Sequence, residues 1–447
     1  MNIVMGSFNA ESYWRDENLA KLPAIRDREA AQIISSMDEL LFPLCGKNDV
    51  LITRHKMDQS FRQYLNQIGF SFQSNELSLE NPRNALSQDE ENVFKLIVDT
   101  DRPDYYSQLI EKHSVLEPYA VLPHLQEFCS RYGVTFQGPD FDIVMNVNSK
   151  IYSYLLHGRL GLKSYGRMVE NSKDMSRIGL QYLEPCGFLI KDPFGVSGKG
   201  NIYVNTQRIL ERIVKFIEAQ ERSGKYTRFI VEPFYDKKMD FSCQIQISQK
   251  GVVSILSVQQ MENNGFAYSG SKKAKSDLLA ILDKNSYFDI MVQAAGELHR
   301  DGYYGNICVD SMLLNNNEII PILEINARKS MGYLNHLMDR FLNNYDTSGE
   351  MSYLPVCYQK IHSFESILSH LDDNGLLFNP KKGQGIIPLS SKAMTVNGEM
   401  DMNPEADKFY KGRLYFSIAG ADNEEEKKEG IQKLKNTLSQ LNINVVG

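Results

Sequence analysis

The sequence predicts a multidomain chain of mixed α/β and α+β type: an α/β unit at residues 1–145, a unit rich in antiparallel sheet at 146–345, and a small α/β unit at 346–447. Three observations predict it. At roughly 100–200 residues per domain, 447 residues suggest two to four domains. The first third alternates short apolar strands with helical patterns, the β-α-β rhythm of a parallel sheet. The middle alternates period-2 strands with glycine-rich loops and few helices, as antiparallel sheets do.

In chain order, Asn2 to Phe8 reads as a short strand, Ala30 to Leu41 has helical spacing, and Asp49 to Thr53 (DVLIT) reads as a buried strand. Ser60 to Ile68 is helical and Gly69 to Gln73 is strand-like. This opening unit is Rossmann-like in rhythm. Its first strand, however, runs into Ser7-Phe8-Asn9-Ala10 and not GxGxxG, which argues against a dinucleotide role. From 146 on, the strand-like runs are GFLIKDPFG, FIVEPFY, FSCQIQIS, VVSILSV, NICVDSML and IIPILEIN. Helices are expected at Ile151–His157, Thr206–Ser223 and Tyr287–Asp301, the second with Ile209, Ile213, Phe216 and Ile217 on one face. Near the end, Gly412–Ala419 reads as a strand. Asp422 is placed to cap a helix, with Glu425 as its capping-box partner and an apolar stripe at Ile431, Leu434, Leu438 and Leu441.

Composition excludes several classes. A net charge of −7 lacks the basic footprint of a dedicated nucleic-acid binder. No apolar run approaches the roughly 20 residues of a membrane helix, and the N-terminus has no basic segment ahead of an apolar one. Cys45, Cys129, Cys186, Cys243, Cys308 and Cys357 form no CxxC pair, so neither a zinc site nor a disulfide framework is signalled, and most are expected to be small buried hydrophobes. The expected location is cytoplasmic, with no nucleic acid and no membrane as partner. No GxSxG, HExxH or papain-like cysteine signature is present.

Three segments can carry chemistry. The first is Gly187-Phe-Leu-Ile-Lys191-Asp-Pro-Phe-Gly195-Val-Ser197-Gly198-Lys199-Gly200, a strand ending in a lysine and followed by a glycine-rich loop. Glycines let backbone N–H groups approach phosphate oxygens, and lysines supply charge. An ordinary hairpin turn has the same composition, and the segment is not a Walker A loop, since GxxxxGK[ST] is absent. The second is Phe229-Ile-Val-Glu232-Pro-Phe234, followed by Asp240 at the head of the next strand. A Glu-Pro break exposes backbone groups, and an ionised Asp240 accepts hydrogen bonds as a ribose requires. Taken alone, the segment is better read as a plain strand–turn–strand. The third is Gly305-Asn-Ile-Cys-Val-Asp310 with Ile319-Ile-Pro-Ile-Leu-Glu324-Ile-Asn326-Ala-Arg328-Lys329-Ser330-Met-Gly332. An antiparallel pair brings Asp310 to Glu324, and Glu324 and Asn326 share a sheet face. Two carboxylates and an amide oxygen suit Mg²⁺. Solvated strand-end acids are the plainer alternative, but a glutamate inside Ile-Leu-Glu-Ile is costly to bury unpaired. The stretch Gln259–Lys275, polar and broken by Gly265 and Gly270, is a candidate substrate loop containing Tyr268. A surface loop has the same composition.

These segments, in this order, resemble the ATP-grasp superfamily over residues 146–345. Asn148-Ser-Lys150 opens the module, and Gly161-Leu-Lys-Ser-Tyr stands where the family often has a Gly-x-Pro-x-Pro-like stretch. The resemblance implies ATP and Mg²⁺ as cofactors, with two metal ions and Mn²⁺ able to substitute. Lys150 and Lys191 would contact the α- and β-phosphates. Gly195, Ser197, Gly198, Lys199 and Gly200 would close over them, Lys191 and Lys199 aiding catalysis. Glu232 would take the adenine amino group, the Phe234 backbone the ring edge and Asp240 the ribose. Asp310, Glu324 and Asn326 would hold the metal. Arg328 would steady the reacting carboxylate or acyl phosphate, and Arg328, Lys329, Ser330 and Tyr268 would face substrate. Cys308 departs from amino-acid ligases that carry arginine two residues before the aspartate.

The opening Gly6-Ser-Phe-Asn-Ala-Glu-Ser-Tyr-Trp-Arg-Asp-Glu-Asn-Leu and the Glu324–Gly332 stretch resemble a narrower group. These are natural-product ATP-grasp ligases with a pre-ATP-grasp domain, of the pheganomycin peptide-ligase and butirosin carrier-protein-ligase types. The implied activity is carboxylate activation as an acyl phosphate and amide formation with an amino-acid or peptide amine. Thioester formation on an acyl-carrier protein and non-catalytic nucleotide binding are the alternatives, and a homodimer is compatible with the superfamily.

Overall fold

The computed structural model describes residues 1–25, 27–79, 91–195, 200–265, 267–360, 362–401, 407–421 and 423–446. Its strands fall into three sheets that follow chain order. Strands β1 (Asn2–Met5), β2 (Val50–Leu51), β3 (Gln73–Ser74) and β4 (Val115–Pro118) form a parallel sheet ordered β3-β2-β1-β4. Strands β5 (Arg167–Val169), β6 (Phe188–Lys191), β7 (Asn201–Val204) and β8 (Phe229–Pro233) form an antiparallel sheet ordered β5-β8-β6-β7. The third sheet holds β9 (Lys237–Ile247), β10 (Val253–Asn264), β11 (Ala267–Lys273), β12 (Gly305–Leu314), β13 (Ile319–Asn326), β14 (Gly349–Tyr358), β15 (Gly385–Pro388), β16 (Tyr410–Ala419) and β17 (Asn444–Val445). Its order is β13-β12-β9-β10-β11-β14-β16-β15, with β17 against β14.

The opening unit is parallel as its rhythm predicts, but its elements are shorter. Gly69, expected to begin a strand, instead ends the helix Gln59–Ile68 with φ +118, a conformation that favours glycine, and β3 starts only at Gln73. The helical spacing over 30–41 resolves into an α-helix, Arg28–Ser35, and a 3₁₀ helix, Met37–Leu44. The Ser36 hydroxyl bonds back to the Gln32 carbonyl at 2.9 Å, and Asp38 and Glu39 turn inward to distant backbone N–H groups, those of Arg54 and of Ser391 and Lys392.

The helix Gln207–Arg222 is capped by Thr206, whose side chain accepts from the Ile209 N–H. Leu210, Ile213 and Ile217 are its buried residues, whereas Phe216, expected on that face, is 43% exposed. Through Leu210, Ile213 and Ile217 the helix packs with Phe188, Ile190, Phe229 and Val231 of the β5–β8 sheet into a hydrophobic cluster separate from the main core, joined by Ala20 and Leu22 of the N-terminal segment.

The boundary expected after 345 is not a break in the sheet. β11 pairs with β14, and β14 pairs with β16 over ten positions, so the last hundred residues extend the central sheet. The helix Glu424–Gln440 is capped by Asn423, whose side chain accepts from the N–H groups of Glu425 and Glu426; Asp422 lies outside the described residues. Leu434 and Leu438 of its predicted stripe are buried. Of the six cysteines, Cys129, Cys243 and Cys308 are buried, Cys45 and Cys357 are half-buried and Cys186 is exposed, so half of them fit the small-hydrophobe expectation. Among the described residues no helix is long and apolar enough to cross a membrane.

Alternation gives the central sheet two unlike faces. Phe241, Cys243, Ile245, Ile307, Val309 and Ile325 are buried, and Phe241 packs edge-on against Tyr287 of the helix Tyr287–Arg300. The intervening residues, Asp240, Ser242, Cys308, Asp310, Glu324 and Asn326, line a cleft of about 370 Å³ under the β5–β8 sheet.

Candidate active site

Strand register builds the floor of this cleft. The β12–β13 hairpin pairs Asp310 with Glu324 and Cys308 with Asn326, and β12–β9 pairing sets Met312 opposite Asp240 and Asp310 opposite Ser242. Side chains at paired positions stand on one face, a few ångströms apart. The Asn326 amide donates to Asp310 Oδ2 at 3.1 Å, and Cys308 Sγ lies 3.4 Å from Asp310 Oδ1. Burial, with Glu324 beside it, pushes the Asp310 carboxyl up to about 7. Burial and the neighbouring Asp310 raise the Cys308 thiol well above its ordinary range, so it is not a ready nucleophile.

Two lysines meet these acids from above. Lys150, first residue of the helix Lys150–Arg159, places Nζ 3.0 Å from Glu324 Oε1 and donates to the Gly195 carbonyl at 2.8 Å. Lys191, at the end of β6, lies 2.5 Å from Glu232 Oε2 on β8. The loop after Lys191 is pinched at its base. A Cβ on Gly200 would fall 2.2 Å from the Gly195 Cα, and one on Gly195 would fall 2.5 Å from the Gly200 Cα, so both positions require glycine.

The N-terminal unit reaches into the same site. Arg328 Nε donates to Glu11 Oε1 at 2.8 Å, Nη1 to the Tyr119 hydroxyl at 3.0 Å and Nη2 to Asn326 Oδ1 at 3.2 Å. Burial alone would lower the Arg328 pKa, but Glu11 and Tyr119 outweigh it and hold the guanidinium firmly charged. Four residues on from Glu11, Arg15 is paired with Asp192 at the base of the lysine loop. Trp14 Nε1 ties this short segment to the Val121 carbonyl at 2.9 Å.

The structure gathers Lys150, Lys191, Gly195, Glu232, Phe234, Asp240, Asp310, Glu324, Asn326, Arg328, Ser330 and Tyr268 around one cleft. Gly200 closes the loop base beneath it. Ser197, Gly198 and Lys199 lie outside the described residues. The Phe234 N–H donates to the Gly187 carbonyl at 3.0 Å. One expectation changes. Lys329 turns away from the cleft: its Nζ donates to the Pro118 carbonyl at 2.6 Å and pairs with Glu117 Oε1 at 2.7 Å, facing a separate groove. Asp240 is held by Lys237 and by the Asn263 amide, the latter at 2.6 Å. Ser330 donates to Gln244 at 2.7 Å and Tyr268 meets Ser271 at 2.8 Å, the candidate loop being the β10–β11 hairpin. Sequence reading missed Glu11, Arg15, Tyr119 and Arg413. For the first two the only signal was the quoted opening stretch.

No family model matches the chain. In sequence it is similar to the [butirosin acyl-carrier protein]–L-glutamate ligase of Niallia circulans, 22% identical over 311 residues that cover 68% of this chain and 67% of that protein. In structure it is similar to the biotin carboxylase domain of the 2-oxoglutarate carboxylase of Hydrogenobacter thermophilus (TM-score 0.53, 15% identity, 100% of this chain and 90% of that one). The biotin carboxylase of Campylobacter jejuni is alike to the same degree (TM-score 0.53, 12% identity, 99% and 92%). The N5-carboxyaminoimidazole synthetase of Staphylococcus aureus follows (TM-score 0.50, 12% identity, 97% and 96%). At these identities the structural likeness speaks for the fold, and the fold is ATP-grasp. In fold, then, the chain is of the ATP-grasp type, and in sequence it is similar to a carrier-protein ligase.

Proposed function

We propose that the protein uses ATP to activate the carboxylate of an amino acid or peptide as an acyl phosphate and joins it to an amine, forming an amide and releasing ADP and phosphate. The observation that carries this reading is the convergence of Lys150, Lys191, Asp310, Glu324, Asn326 and Arg328 on one cleft between two sheets. A substrate carboxylate oxygen attacks the γ-phosphorus as the bond to ADP breaks. The amine nitrogen then attacks the acyl carbon and phosphate leaves. The reaction needs no protein nucleophile, so the residues act by position and charge. Lys150 and Lys191, now paired with Glu324 and Glu232, neutralise phosphate oxygens, and Arg328 orients the reacting carboxylate.

The donor set fits a hard divalent cation: Asp310 and Glu324 are in register, Asn326 lies two residues on along the same face, and all are oxygen ligands. Among the described residues no group of three His, Cys, Asp or Glu side chains is gathered, which leaves substrate phosphates to complete a magnesium shell. Bound there, Mg²⁺ would supply charge stabilisation to the transferring phosphoryl group.

The similarity to a carrier-protein ligase favours a second reading, in which the acceptor is the thiol of an acyl-carrier protein. The test is ADP release with Mg·ATP over a panel of amino acids, singly, in pairs and with a carrier protein, followed by mass spectrometry. A condensed small-molecule mass supports the amide reading and an acylated carrier the thioester reading. Nucleotide binding with no ADP release from any mixture sinks both in favour of a non-catalytic module.

A further inference from the structure

Arg328, in this cleft, holds Glu11, and Arg15, beside it, holds Asp192. Arg413 holds no acid among the described residues. It stands on β16, where pairing with β14 sets Pro355 opposite Arg413 and Tyr353 opposite Tyr415. Its guanidinium lies 4.8 Å over the Tyr353 ring and donates one hydrogen bond, from Nη1 to the Tyr415 hydroxyl at 3.2 Å. The Tyr415 hydroxyl also contacts Met37 Sδ at 3.3 Å, so both flanking rings are fixed. Among the described residues no carboxylate lies within ion-pairing distance of Arg413. Asp27, an acid whose charge it feels, is engaged by Lys411 at 3.0 Å.

A guanidinium carries five N–H donors in a planar fork matched to a carboxylate. Here most of that fork is unspent, on a half-buried side chain at the wall of the cleft that holds Arg328, Asp310 and Glu324. Around it the wall is apolar and aromatic, with Ile34, Met37, Tyr268, Tyr353 and Tyr415. A partly buried cation without a counter-ion is costly unless a ligand supplies one.

Resting on the proposed ligase reading, we infer that Arg413, flanked by Tyr353 and Tyr415, receives a second, non-reacting carboxylate of the carboxylate donor. The donor class is a small dicarboxylate, including acidic amino acids, one end activated beside Arg328 and the other anchored at Arg413. The residue determines specificity and takes no part in bond making.

The test pairs each acid with its neutral isostere: glutamate with glutamine, aspartate with asparagine, succinate with succinamate. Binding to the wild-type protein in Mg·ADP is measured by calorimetry, and turnover by ADP release. At least one diacid should bind the wild type roughly 10- to 100-fold more tightly than its monoamide, the range for losing charge-assisted hydrogen bonds. Arg413→Met should erase that ratio through KM with kcat and Mg·ADP affinity kept, and Arg413→Lys should retain part of it. No diacid preference in the wild type, or a preference that survives in Arg413→Met, overturns the inference. If diacid preference is found and depends on Arg413 but no ADP forms with any acceptor, the ligase reading fails and the carboxylate site stands.

Discussion

Glu11 and Arg328 are 317 residues apart in the chain and share a buried ion pair, with Arg328 Nε 2.8 Å from Glu11 Oε1. Their side chains retain only 5% and 11% of their exposure, so each charge depends on the other. Breaking such a pair by removing one partner costs about 3–5 kcal/mol, because the remaining charge stays buried. Glu11→Gln should therefore lower Tm and, in the protein that remains folded, reduce ADP release more than Mg·ADP affinity. A double-mutant cycle with Arg328→Met checks the coupling, and additive effects would show that the pair does not act as a unit.

Glu324→Ala should abolish ADP formation while the far-ultraviolet circular dichroism spectrum stays unchanged. Glu324 sits opposite Asp310 in the hairpin and also holds Lys150, so two site elements lose a partner at once. Wild-type turnover in this variant would remove Glu324 from the chemistry.

Arg328→Ala should impair ligation while leaving nucleotide affinity within a few-fold of wild type, since its contacts run to Glu11, Tyr119 and Asn326 and not to the lysine loop. Equilibrium binding of Mg·ADP set beside product formation separates the two effects. Lost nucleotide affinity with normal chemistry would reverse the assignment.

Gly200→Ala should weaken Mg·ATP binding roughly tenfold or more, a loss of about 1.4 kcal/mol. The added methyl would lie 2.2 Å from the Gly195 backbone and must open the base of the loop. The Tm of the nucleotide-free protein should change little, because the strain is confined to the loop base. Unaltered affinity would exclude the loop from nucleotide binding.

Asp38 gives a pH signature away from the site. Burial, with Glu39 beside it, lifts its carboxyl from the ordinary 3.8 to about 8. The native state then holds a proton that the unfolded chain releases, so this contribution to stability is full below the unfolded pKa and is lost as pH rises through the native one. Asp38→Asn keeps an acceptor for the Arg54 N–H and removes the titration. Its Tm relative to wild type should rise between about pH 4 and about pH 8 and level off above that. A constant offset would mean that Asp38 is ionised in the native protein.

Much of this molecule is legible locally. The period-2 runs become antiparallel strands, and the hairpin 305–326 pairs Asp310 with Glu324 because turn and alternation leave little choice of register. The helix expected from Thr206 begins there, capped by the Thr206 side chain, whereas the helix expected to be capped by Asp422 is capped by Asn423. Such signals act over a few residues and do not depend on the rest of the fold. The lysines, acids and amide of the site sit at strand and helix ends, where these local rules place them on one face.

Other features needed the whole chain. The central sheet runs on through β14 and β16, so residues far beyond the expected boundary at 345 wall the cleft. Glu11, Arg15, Tyr119 and Arg413 reach the site from segments with no catalytic spacing, and Lys329, adjacent to Arg328, turns out of it. The sequence alone determined the main strand runs of the central sheet and which of their faces is polar, because periodicity is a local property of the chain. Which distant charge meets which depends on how those elements pack, since a buried ion pair is specified by the three-dimensional position of both partners and leaves no pattern in either neighbourhood.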